Sequence, residues 1–149
     1  MIDVDGFTGD RLYFDTNVFI YFVEGHARYR PLLKDMFEAL DENAFTAVTS
    51  ELTLAEALVK PLAEAKQEVA RVYMDLLSGG SHLTVAPIDR ATLIRSAELR
   101  ATLNCRAFDA IHLATADLAS CGFFLTEDAR IRVPGTMKLL RLSDLLEAE

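Results

Sequence analysis

Arg11-Leu12-Tyr13-Phe14-Asp15-Thr16-Asn17 decides the fold. Its first four residues read as a short strand, apolar enough to lie inside a sheet, and the next three are types favoured at helix N-caps. Residues 18–23 then read as a short helix, so a strand turns directly into a helix. The alternation recurs downstream. Residues 24–30 form a polar loop, and Pro31 suits the first turn of a helix that presents Leu32, Leu33, Met36, Phe37 and Leu40 on one face. Residues 44–48 predict a second strand, with Thr49-Ser50 capping a helix over 51–59 that Pro61 breaks or kinks. A longer helix continues to about residue 77 and ends at Gly79-Gly80. Residues 83–86 predict a third strand, and Asp89 caps a helix to about residue 103. An alanine-rich helix over 107–119 leads to a fourth strand over 122–125. A fifth strand over 138–142 follows, and Ser143-Asp144 cap a last short helix.

Strands separated by helices imply right-handed βαβ crossovers. The expected fold is therefore α/β, a three-layer α/β/α sandwich around a mainly parallel sheet. The sequence has no repeat, low-complexity stretch or linker, which predicts a single domain over residues 1–149.

With 149 residues and 51% apolar composition, the chain can bury a sizeable core. Cys105 and Cys121 are too few for a zinc site, and their spacing fits no disulfide framework. They are expected to be reduced in a cytosolic core. The apolar run over 18–23 is too short to span a bilayer. Asp3, Asp5 and Asp10 give the N-terminus no positive flank, which argues against a signal peptide. A cytoplasmic protein with no membrane partner is the expectation.

The net charge of −8 is unusual for a nucleic-acid binder. Charge location tempers that. Arg130, Arg132, Lys138 and Arg141 form a run without acids, and Arg28 and Arg30 flank Tyr29 in a second basic patch. A run like the first is more often a solvated face than an RNA track. The acidic excess can also gather where cations neutralise it.

Ligands of an open parallel sheet bind beyond the carboxyl ends of its strands. Asp15 follows the first strand and Asp128 the fourth, while Glu56 and Asp109 lie in early turns of helices that start near the same edge. Two carboxylates about 5 Å apart repel by roughly 3 kcal/mol at an effective dielectric near 20. Mg²⁺ or Mn²⁺ relieves such crowding, since hard cations take oxygen ligands, and it activates water for phosphodiester hydrolysis. No Ser–His or Cys–His arrangement offers a comparable nucleophile. Each acid also has a structural reading. Asp15 can cap the helix after it, and Thr53-Leu54-Ala55-Glu56 fits a capping box. Asp109 can favour a helix dipole, and Asp128 can sit in a turn. His112, one turn beyond Asp109, reads better as a hydrogen-bonded structural histidine than as a substrate contact. Asp117 lies about 12 Å from Asp109 by helical rise, too far to share an ion.

Four stretches together resemble the PIN domain: Asp15-Thr16-Asn17-Val18, Leu54-Ala55-Glu56-Ala57-Leu58, Phe108-Asp109-Ala110-Ile111-His112-Leu113-Ala114-Thr115-Ala116 and Leu125-Thr126-Glu127-Asp128. More narrowly they resemble VapC-type ribonuclease toxins of toxin–antitoxin pairs, over residues 12–142. The resemblance implies Mg²⁺- or Mn²⁺-dependent endonucleolytic cleavage of RNA, a protein antitoxin and a homodimer. It implies Asp15, Glu56 and Asp109 as metal-binding, catalytic acids, completed by Asp128. Thr16, Asn17 and Thr126 match supporting positions. Glu127 beside Asp128 leaves the fourth acid open, and the order Thr-X-Asp favours Asp128. The count of metal ions stays open, as does the RNA target.

Two other functions compete. A PIN-like module that only binds protein or RNA is disfavoured by the presence of all four acids. A Mg²⁺-dependent phosphatase of the haloacid-dehalogenase type needs a second aspartate where Asn17 stands. A receiver domain needs an acid pair that Asp15 lacks and a lysine after a late strand, whereas Lys138 starts one.

Overall fold

In the computed structural model, which describes residues 5–135 and 137–147, five strands pair in parallel. They are β1 (Arg11–Phe14), β2 (Thr46–Ser50), β3 (Leu83–Ala86), β4 (Phe123–Thr126) and β5 (Lys138–Arg141), in the order β3-β2-β1-β4-β5. The helices are α1 (Thr16–Val23), α2 (Arg30–Asp41), α3 (Glu51–Ala63), α4 (Gln67–Leu76), α5 (Arg90–Leu103), α6 (Ala107–Leu118) and α7 (Leu142–Glu147). Asp3 lies outside the described residues.

β1 takes the centre because alternate side chains serve two cores. Leu12 and Phe14 are fully buried on one face, against Val18 and Phe19 of α1 and Leu33 and Met36 of α2. Tyr13 points to the other face, where Val48, Phe124 and the α6 residues Leu113 and Ala114 enclose it. Burying each such aromatic contributes roughly 1.5–3 kcal/mol. Both faces are covered, which makes the three layers. Ala110, Ala114 and Ala116 are fully buried on α6, and their small side chains let this helix lie close to the sheet. The register pairs Tyr13 with Val48 on one side and Phe124 on the other.

Three expectations need correction. Pro61 does not break its helix: α3 runs through it to Ala63. The proline is buried and removes one N–H near the helix end, and the chain turns instead at Ala65, with φ 55°. The second strand is Thr46–Ser50 rather than 44–48, because β2 pairs to its last residues with Val85 and Ala86 of β3. The last helix begins at Leu142, ahead of Ser143-Asp144. Its first turn is satisfied by Glu127 at the distant end of β4, whose carboxylate accepts from the Ser143 N–H at 3.1 Å.

With every strand running the same way, β1 and β4 release Asp15 and residues 127–128 at one edge, and β2 releases α3 there. That edge carries the acids.

Candidate active site

Asp15 is clamped between neighbouring strands. Its Oδ1 accepts from the Thr16 N–H at 2.9 Å, capping α1, and its Oδ2 accepts from the Thr126 hydroxyl of β4 at 2.7 Å. The next residue ties in a second acid, since the Thr16 hydroxyl donates to Glu56 Oε1 at 2.8 Å. Glu56 arrives from α3, whose cap is Ser50: its hydroxyl accepts from the Leu52 N–H at 3.0 Å. The capping-box reading of Glu56 therefore fails. Thr53 lies buried inside the helix, with its hydroxyl 2.7 Å from that of Thr49.

Beneath both acids lies His112, 2% exposed. Its Nε2 stands 2.6 Å from Glu56 Oε1, 3.3 Å from Thr16 Oγ1 and 3.8 Å from Asp15 Oδ1. Its Nδ1 stands 2.6 Å from the Tyr13 hydroxyl. Burial, reinforced by the charge of Asp15, pushes the Tyr13 phenol well above its ordinary range, so it keeps its proton. That O–H donates to Nδ1, which leaves Nε2–H to donate to Glu56. Burial alone would raise the Glu56 carboxyl. The hydrogen bonds from His112 and Thr16 outweigh it and hold Glu56 below the usual carboxylate range.

Asp109 is the third residue of α6 and half-buried. Its carboxyl is raised, first by burial and then by the negative charge of Asp15, with Asp128 adding to the effect. Arg106, 3.9 Å away through Nε, opposes the rise without cancelling it. Asp128 is gripped by the fork of Arg130, Nε to Oδ1 and Nη2 to Oδ2 at 3.0 Å each. Those bonds lower its carboxyl despite some desolvation. Glu127 turns the other way. It accepts from Arg141 Nη2 at 2.8 Å and from the Ser143 hydroxyl at 3.1 Å, and with Tyr29 these bonds overcome desolvation and lower its carboxyl.

Asp15 and Glu56 thus share one buried histidine, while Asp109 feels the charges of Asp15 and Asp128. Among the described residues, no three His, Cys, Asp or Glu side chains stand close enough to hold a metal ion as they are oriented. Glu56 is turned onto His112 and Thr16, and Asp128 onto Arg130. Asn17 is half-buried, and no hydrogen bond among the described residues joins its side chain to the acids. Asp117 faces away, bound to Arg95 Nε at 2.8 Å. Reasoning from sequence missed Tyr13, Thr49 and Thr53 as the floor of the site and Arg106 and Arg130 as its cationic rim. The spacings of Arg130 two residues after Asp128 and of Arg106 three residues before Asp109 are the signals that could have found the rim. In the second basic patch, Arg28 lies 5.2 Å over the Tyr29 ring and Arg30 5.7 Å over Phe22.

A parallel α/β domain with acidic side chains gathered along the carboxyl edge of its sheet is the class defined by this geometry. The chain belongs to the PIN domain family, which matches residues 12–135. Among solved structures it is similar to VapBC2 from Rickettsia felis bound to a promoter DNA fragment, with TM-score 0.69 and 20% identity, covering 88% of this chain and 98% of that one. A toxin–antitoxin complex from Klebsiella pneumoniae gives TM-score 0.64 and 25% identity over 87% of this chain and 96% of that one. VapC20 of Mycobacterium tuberculosis, a toxin that cleaves the sarcin–ricin loop, gives 0.61 and 11% over 76% and 86%. No curated protein matches the chain significantly.

Proposed function

We propose that the chain acts over residues 1–149 as one Mg²⁺- or Mn²⁺-dependent endoribonuclease domain. In this reading it is the cytoplasmic toxin of a VapBC-type pair, a homodimer held in check by a protein antitoxin. One observation carries the catalytic part: Asp15 and Glu56 meet on His112, and beside them burial, then the charges of Asp15 and Asp128, raise the Asp109 carboxyl.

The donor set fits such an ion. Every candidate ligand is a carboxylate oxygen, the preference of hard cations, and the mutual repulsion felt by Asp109 is what a cation relieves. Asp15 and Asp109 would hold the metal, with Glu56 and Asp128 turning from their present partners to complete the site. When bound, the ion supplies an activated water and charge stabilisation for the phosphodiester. Thr16 and Thr126 fix the direction of the acids, and Arg106 and Arg130 offset the charge brought by the substrate phosphate. Thr126 belongs to β4, so the same strand that places Asp128 also orients Asp15.

The toxin half draws on the relatives, which are toxin–antitoxin proteins. A groove of about 410 Å³ bordered by Phe22, Val23, Val69, Val72 and Leu76, with Arg30 and Glu68 also in its lining, offers a largely apolar surface for the antitoxin. No helix among the described residues is long and apolar enough to cross a membrane.

RNA cleavage is expected with Mg²⁺ or Mn²⁺ and should stop in EDTA. Metal-independent cleavage overturns the mechanism, and binding without cleavage points to a non-catalytic module. The fourth acid is separable too. Asp128→Asn should lose at least about tenfold in rate. Glu127→Gln should keep cleavage but melt lower at pH 7, because its depressed carboxyl contributes stability above the unfolded pKa that is lost as pH falls. The reverse pattern would transfer the role to Glu127.

A further inference from the structure

The basic run over 130–141 does not behave as one surface. Arg141 is spent on Glu127, and Arg130 commits Nε and Nη2 to Asp128. Arg132 is exposed and has no acidic partner among the described residues. Arg130 and Arg132 line one side of a cavity of about 200 Å³, closed by Leu103, Asn104 and Cys105 where α5 gives way to α6. Its volume is several times the roughly 30 Å³ of a water molecule. The cavity abuts the acids: Arg130 is shared with Asp128, and Arg106, next to Cys105 in sequence, reaches toward Asp109.

We infer that this cavity holds a backbone phosphate of the RNA strand that flanks the bond being cut. The inference rests on the ribonuclease reading. A chain of net charge −8 is repelled by RNA overall, so a local cationic pocket is a place where affinity can arise. Phosphate suits it for three reasons. Arg132 offers a whole guanidinium fork. Arg130 keeps Nη1 uncommitted among the described residues. The Asn104 amide adds a neutral donor from a left-handed residue that ends α5, with φ 51°. A phosphate seated there draws on Arg130, two residues along from Asp128, so the strand is fixed relative to the acids.

Cys105 is a built-in reporter. It lines the cavity and is half-buried, whereas Cys121 is buried with its thiol pushed up to about 12 by desolvation. A maleimide should therefore label Cys105 alone. The test compares labelling rates of the Mg²⁺-loaded protein with and without saturating single-stranded RNA, alongside cleavage kinetics of wild type and Arg132→Ala. RNA should slow Cys105 labelling severalfold in wild type and much less in Arg132→Ala. The variant should raise KM by about tenfold, the lower end for one hydrogen bond to a charged group, with kcat nearly unchanged. The slope of log affinity against log salt should shrink by about 0.7, as for one lost single-strand phosphate contact. Arg132→Glu should raise KM further. RNA that is cleaved normally while Cys105 labels at an unchanged rate would place the strand elsewhere and sink this inference alone. RNA that is neither bound nor cut by the wild type removes the ribonuclease reading as well.

Discussion

Asp109→Asn is expected to cut Mg²⁺-dependent RNA cleavage by at least about a hundredfold while raising the melting temperature of the protein in EDTA. The two effects have one cause. Burial, then the charge of Asp15 and that of Asp128, raise the Asp109 carboxyl. The folded state therefore binds its proton more tightly than the unfolded chain, whose Asp titrates near about 3.9. Between the two values the native state holds more protons, so stability falls as pH rises through that window and stays reduced above it. An amide removes that penalty. The stabilisation should be present at pH 7 and fade as pH drops toward the unfolded value. Mg²⁺ should raise the melting temperature of wild type more than that of the variant, since an ion that binds only the folded state stabilises it by mass action. Calorimetry in EDTA and in Mg²⁺ at two pH values reads all of this. A variant that melts lower in EDTA and still cleaves at the wild-type rate would show Asp109 to be a structural residue.

The fold was legible because its signals are local. A four-residue apolar strand, a cap and an apolar helix recur along the chain, and a parallel sheet follows from that alternation. What escaped depends on partners distant in sequence. The start of the last helix was misread because its capping carboxylate, Glu127, comes from the end of β4, and no pattern within residues 138–147 encodes that. The helix through Pro61 was cut short because the rule against proline takes no account of how near the helix end the residue stands. Within the site, the placement of Asp15 at a strand end was readable from seven residues. The pairing of Glu56 with His112 joins residues 56 positions apart. Only the sheet, which sets Tyr13 under α6, brings that histidine to its partners. His112 looked like a satisfied core histidine, and it is one. The acceptor that satisfies it is a candidate metal ligand, so the structural and functional readings describe one hydrogen bond.

His112→Ala should therefore damage stability and activity together, and two milder variants should separate them. Removing the imidazole leaves the fully buried Tyr13 hydroxyl without its acceptor, at a cost of about 1–3 kcal/mol, and opens a cavity beside α6 that adds to it. A total near about 3 kcal/mol lowers the melting temperature of a chain this size by roughly 6–12 °C. Glu56 loses its 2.6 Å donor at the same time, and with it the bond that holds its carboxyl low and pointed inward. Loss of such a supporting partner typically costs about 10–100-fold in activity or metal affinity. The two ring nitrogens have different partners, so their work divides. Asparagine places an amide oxygen where Nδ1 stood, accepts from Tyr13 and should recover stability more than cleavage. Glutamine extends an amide nitrogen to the position of Nε2, donates to Glu56 and should recover cleavage more than stability. Melting temperature and kcat measured on the three variants give the two scales. If both amides restored stability and activity in equal proportion, His112 would be filling space, and its bond to Glu56 would have no separate role in the chemistry.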